Sequence, residues 1–196
     1  MIKSAQQSSI QNDIKYRSMS AGNVPSNEYL IQTTVVGATP AASIEFDVSD
    51  YAGIYRHLKI IGMARTNRAD VGDLVLVRFN SDTATNYSDH FLRGNGSSPT
   101  SGARASSNSA RFRRIAGGND TANVFGAFVI DLLDPFETTK YPTIRVLGGS
   151  PAATYSEIAL SSGSWRNTAA ITTIDLIGEN GSFVSGSRFS LYGVTA

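Results

Sequence analysis

Two histidines, no cysteine and a scatter of carboxylates are the groups in this chain that could do chemistry. Neither His57 nor His90 has a second His or a carboxylate at the spacing of a metal site. Asp89 directly precedes His90, and adjacent residues of a strand point to opposite faces, so the two do not meet on one face. A Ser-His-Asp set assembled from distant residues stays open at this level. The Gly-x-Ser-x-Gly turn that presents a nucleophilic serine is absent. The missing cysteine removes thiolate nucleophiles, disulfides and sulfur-ligated metals together. The pairs Asp70/Asp73 and Asp131/Asp134 have a spacing that oxygen-ligated Ca²⁺ would accept. The same pairs fit ordinary turn formation, in which the carboxylate accepts from nearby backbone N–H groups. No two carboxylates stand out as a glycosidase pair, and no Gly-rich segment ends in the Lys-Ser/Thr of a phosphate loop. The residues point away from an enzyme, and no cofactor or metal is expected.

Charge placement says more than total charge. Five arginines, Arg93, Arg104, Arg111, Arg113 and Arg114, fall between Asp89 and Asp120 with no acid among them. Arginine favours bidentate pairing at interfaces, so a contact with an acidic neighbouring subunit or an anionic glycan is one reading. A solvated strand face is the other. Nucleic acid is not expected, because only Phe91 and Phe112 lie nearby to stack on bases. Trp165, the single tryptophan, is either a sugar-stacking platform or a packing residue of a core or subunit interface, and packing is favoured.

The elements that must position these residues are strands. Charged residues make up 17% of the 196, below the usual quarter, and Ser, Thr, Asn and Gly take their place. Net charge is +1, too small to steer the chain to nucleic acid or a membrane surface. No apolar stretch approaches the ~18 residues of a membrane span, and the N-terminus lacks the apolar core of a signal peptide. From Glu28 onward, short β-branched and aromatic runs alternate with turn signals. Ile44, Phe46 and Val48 share one face of a strand, and Val75, Val77 and Phe79 share one face of another. Ten or eleven strands are expected, with no amphipathic helix between them, and the fold class is an all-β, antiparallel β-sandwich of jelly-roll type over residues 28–196. Gly94–Ala110 shows no apolar pattern and reads as a long structureless loop.

Residues 1–27 differ from the rest. They are polar, with isolated apolar residues at Ile2, Ile10, Ile14 and Tyr16 and a cation at Arg17. Such a segment has no core of its own and orders by lying on a partner. It is expected to be an extended N-terminal anchoring arm. Ile2, Ile10, Ile14, Tyr16 and Arg17 are its candidate contacts, alongside Arg104, Arg111, Arg113, Arg114 and Trp165 in the sandwich.

Five segments, in order, carry a resemblance. Tyr55-Arg56-His57-Leu58-Lys59-Ile60 resembles a "YKHLQI" strand found in a widespread group of bacteriophage virion proteins. Arg78-Phe79-Asn80-Ser81-Asp82-Thr83, with Asn86-Tyr87, resembles that group's "RFNGDTGSNY". Ala122-Asn123-Val124-Phe125-Gly126 and Ile130-Asp131-Leu132-Leu133-Asp134 resemble its "ANIFGA…IDILD". Ser164-Trp165-Arg166-Asn167-Thr168-Ala169-Ala170-Ile171-Thr172 resembles its "WRNTAAIT", and Gly186-Ser187-Arg188-Phe189-Ser190-Leu191-Tyr192-Gly193 is similar to its closing strand. The resemblance implies a β-sandwich and a virion component, placed on the head or the tail, and supplies no catalytic residues. On that expectation the chain is a capsid decoration protein, homo-oligomeric and with trimer the symmetry guessed, bound to the major capsid protein or other virion proteins. The alternative is a tail-fibre protein that contacts host glycan.

Overall fold

The computed structural model describes residues 27–151 and 156–195. The candidate arm contacts Ile2, Ile10, Ile14, Tyr16 and Arg17 lie outside those residues. Twelve strands follow in chain order: β1 Glu28–Val35, β2 Ser43–Asp47, β3 His57–Ala64, β4 Gly72–Phe79, β5 Tyr87–Gly94, β6 Pro99–Ser107, β7 Ala110–Ala116, β8 Gly126–Leu133, β9 Thr143–Ser150, β10 Glu157–Trp165, β11 Thr173–Gly178 and β12 Arg188–Val194. One short 3-10 turn, Ser49–Tyr51, interrupts them.

The strands form two antiparallel sheets packed face to face, the sandwich that alternation in the sequence predicts. The larger has eight strands in the order β1-β12-β3-β8-β9-β10-β5-β6, and the smaller has four in the order β2-β11-β4-β7. Side-chain alternation sets which face is inside. Ile44 and Phe46 of β2, Val75, Val77 and Phe79 of β4, and Ile174 and Leu176 of β11 face Leu58 and Ile60 of β3, Ile130 and Leu132 of β8, and Ile144 and Val146 of β9 in one core. Phe183 meets Phe189 edge-on at 4.9 Å, and Phe128 lies 6.2 Å from Phe189.

One expectation fails. Residues 99–107 form β6, an edge strand paired with β5, rather than part of a loop. An edge strand of this kind needs a ladder partner more than an apolar face, and its side chains are exposed or half-buried. Asn95-Gly96 makes the turn. The Asn95 Oδ1 accepts from the Ser97 and Ser98 N–H groups at 3.1 and 2.9 Å, and Gly96 sits at φ +88°. Asn-Gly is a strong turn signal, so the sequence marked the turn though not the strand that follows it.

Two glycines make room for aromatic rings across the ladder. Gly62 of β3 is the cross-strand partner of Phe128 on β8, and Gly102 of β6 that of Phe91 on β5. A Cβ on Gly62 would fall 2.2 Å from the Phe128 ring. Gly62→Ala is therefore expected to cost about 1–3 kcal/mol through forced repacking. It should read as a lower urea midpoint with an unchanged slope.

Candidate functional site

Residues of the segments quoted from the sequence take up structural tasks at the two ends of the sandwich. At one end of the sandwich, the chain leaving β4 turns through Asn80 and Ser81, both in the left-handed region at φ 51° and 55°. Asn80 holds this turn to the chain entering β11. Its Oδ1 accepts from the Thr172 and Thr173 N–H groups at 2.7 and 3.2 Å, and its Nδ2 donates to the Ala170 carbonyl at 2.9 Å. Asp82 accepts from the Trp165 indole N–H at 2.7 Å, from Asn86 Nδ2 at 2.9 Å and from the Ala84 N–H at 2.8 Å. Burial works to raise the Asp82 carboxyl, but these three hydrogen bonds together hold it below the usual carboxylate value. The Trp165 ring is 1% exposed and lies 5.7 Å from Phe79 and 6.4 Å from Tyr87. It packs in the core and presents no face on which a sugar could stack.

At the other end, the Arg65 guanidinium donates to the carbonyls of Gly118, Asp120, Thr121 and Val124 at 2.7–3.1 Å. One side chain thereby shapes the whole 118–124 loop. The Ser187 hydroxyl bridges the Arg65 backbone at 3.2 Å to both its N–H and its carbonyl.

Two of the five arginines, Arg93 and Arg104, turn inward. Arg104 of β6 makes three hydrogen bonds to the Asp89 carboxylate, the shortest from Nη2 at 2.6 Å, and also donates to the Ser109 carbonyl at 3.1 Å. The same carboxylate accepts from the Arg111 backbone N–H at 3.1 Å. The Arg111 guanidinium pairs with Glu179 at 3.3 Å. Arg93 pairs with the buried Glu157 at 2.6 Å. The Arg114 side chain covers Gly72, and the side chain of Arg113 lies outside the described residues. The charges of Arg104 and Arg111 are thus met within the chain.

His57 Nδ1 accepts from the Asp134 N–H at 3.1 Å. Asp134 pairs with Arg56 at 2.6 Å and with Lys140. The Lys140 hydrogen bond first, with Arg56 beside it, outweighs burial and holds this carboxyl below its usual value. Asp131 pairs instead with Arg145 at 2.9 Å. Asp73 is fully buried and accepts from the Thr66 hydroxyl, the Leu74 N–H and the Asn180 N–H, while Asp70 accepts from the Val71 N–H at 2.7 Å. These are the turn roles of aspartate. Among the described residues no three His, Asp or Glu side chains come together as a metal site would need. His90 is exposed and Asp89 buried, on opposite faces of β5 as adjacent residues must be.

The two outer faces of the sandwich differ. The four-stranded sheet shows solvent a charged row in which Asp175 stands between Glu45 and Arg78. The eight-stranded sheet shows an apolar one, with Ile61, Met63, Leu92, Leu147, Ile158 and Leu160 each 43–64% exposed. Sequence reading did not single these six out. Their signal was present in strands apolar on both sides of the pleat, such as Ile60-Ile61 and Val146-Leu147, a pattern of strands covered on both faces.

No protein-family model matches the chain, and neither a curated protein nor a solved structure matches it.

Two predictions follow from the polar contacts. Burial, the largest influence, pushes the Tyr87 hydroxyl up to about 12. The unfolded chain ionises this group near 10, so its contribution is complete below pH 10 and is lost as pH rises from 10 to 12. Over that window stability should fall by roughly 2 kcal/mol on this account. Urea titrations of Tyr87→Phe should lose most of this alkaline slope, leaving that of Tyr51 and Tyr55, which burial also raises. Arg104→Met strands a buried carboxylate and should cost about 3 kcal/mol in the same assay at neutral pH.

Proposed function

We propose that this chain is a bacteriophage virion structural protein that decorates the capsid. The sandwich sits on the shell formed by the major capsid protein, and residues 1–27 act as the arm that joins neighbouring subunits. The observation that carries this reading is the placement of the five resembling segments. They supply the turn at Asn80–Asp82, the Trp165 anchor, the loop around Arg65 and the closing strand β12, so the likeness covers the parts that determine the fold. The ionisable groups add to it, because Asp70, Asp73, Asp82, Asp89, Asp131, Asp134, Glu157 and Glu179 are each engaged in a turn or an ion pair. On this reading the protein has no catalytic role, binds neither nucleic acid nor membrane, needs no cofactor and assembles as a homo-oligomer into the virion.

Copy number tests the location. Quantitative mass spectrometry of purified particles should find hundreds of copies, as a symmetric shell demands. A dozen or fewer would place the protein on the tail and favour a fibre that contacts host glycan. Deleting residues 1–25 should leave a folded sandwich that no longer joins the particle; loss of the fold itself would refute the arm's role as a separate anchor.

A further inference from the structure

The apolar outer face of the eight-stranded sheet has an internal order that a merely greasy surface would lack. The cross-strand register sets Ile61, Val129, Leu147, Leu160 and Leu92 in one straight row over β3, β8, β9, β10 and β5. One pleat along, the same strands carry Met63, Ala127, Gly149, Ile158 and Gly94. β9 is the middle strand of the five. A two-fold axis laid along β9 brings a second copy face to face, with β3 over β5 and β8 over β10. Leu147 then meets Leu147 of the second copy, and the first row covers itself from end to end. In the second row Met63 falls over Gly94, Ile158 over Ala127, and Gly149 over its own copy. In this second row large side chains meet small ones at both off-axis positions, which is how faces of packed sheets interdigitate.

Charge permits the contact. Neither row carries an ionisable side chain. On the neighbouring row the same axis sets Arg145 against its own copy and Lys59 over His90, but Arg145 is already paired with Asp131 and Lys59 with Glu28. Area permits it as well. Five strands of eight or nine residues at about 4.8 Å spacing give a face on the order of 600 Å² in plan. Side-chain relief brings that close to the ~800 Å² of accessible surface per partner in a standard stable interface. A groove of about 590 Å³ runs over Ile61, Val129, Leu147 and Ile158, leaving room for the knobs of a facing sheet.

We infer that this face is the homodimer interface of the protein, formed with a second copy about a two-fold axis along β9. The inference stands apart from the virion reading, since it rests on the register of one sheet. Sedimentation of the full chain at tens of micromolar should show a dimer. Leu160→Lys should weaken it at least about thirtyfold, whereas Tyr141→Ser, which removes an equally exposed apolar side chain off this face, should not. The chain has no cysteine, so single cysteines report geometry cleanly. Arg145→Cys, on the axis strand, should be joined to its copy by a short bismaleimide. Lys59→Cys, on β3, should not, because its copy lies roughly 19 Å away across four strand spacings. A monomeric wild-type chain overturns the inference. If that monomer binds the dye ANS, the face is open to a different partner; if it does not, the chain's own first 26 residues cover it. Equal crosslinking at both positions would overturn the proposed axis.

Discussion

The contact between Arg104 and Asp89 joins the two sheets at the point where each of them runs out. β7 is the last strand of the small sheet and β6 the last of the large one, and a bare strand edge is a template for unwanted pairing. Asp89, projecting inward from β5, accepts the Arg111 N–H of β7, and Arg104, from β6, donates to the Ser109 carbonyl just before β7. A carboxylate and a guanidinium thus stand in for the strand that β7 lacks. Each satisfies the other as well as the backbone, with the Asp89 carboxylate almost wholly buried. The edge strand β6 is held in place by the same pair.

Unequal width explains much of the remaining chemistry. Four strands do not span the inner face of eight. Where β7 lies against β9, β10 and β5, apolar side chains fill the gap; further out, toward β6, the filling changes to the Arg93–Glu157 and Arg104–Asp89 pairs. Two members of the arginine-rich segment, Arg93 and Arg104, are therefore part of the polar rim of the core. Buried pairs of this kind add little net stability over an apolar filling, yet removing one member is costly. They fix which strands meet more than how tightly.

The sequence was most legible where alternation was strict. The spacing alone put Phe46 on one face with Ile44 and Val48, and Val77 and Phe79 on one face with Val75; each of Phe46, Val77 and Phe79 is at most 1% exposed. β6 was not legible, because an edge strand of Gly, Ser and Ala gains its order from the ladder with β5 and leaves no hydrophobic period to detect. The destination of Arg104 was hidden for a related reason. A single sequence shows that a cation lacks a local acid, but not that folding brings one from fifteen residues away. Trp165 was legible as a packing residue, though not its partner: the Trp165–Asp82 hydrogen bond spans 83 residues. The outer apolar face escaped because strands apolar on both sides look the same whether a neighbouring layer comes from the same chain or from another molecule.

The pairing of β1 with β12 has a mechanical side. Glu28 stands opposite Val194, and the Thr195 N–H donates to the Asn27 carbonyl, so the outermost strand and its partner open from the same end. Tension applied between these two points would load one ladder hydrogen bond at a time, as a zipper is loaded, and the first bonds to fail would be those nearest Asn27. Tension that entered at Glu28 and left through the opposite end of the sheet would load the β1–β12 ladder along its length and require its bonds to yield together. The resistance of this domain to force therefore depends on where the far anchor lies, and a segment ahead of β1 would transmit load best when pulled along the strand rather than away from the sheet.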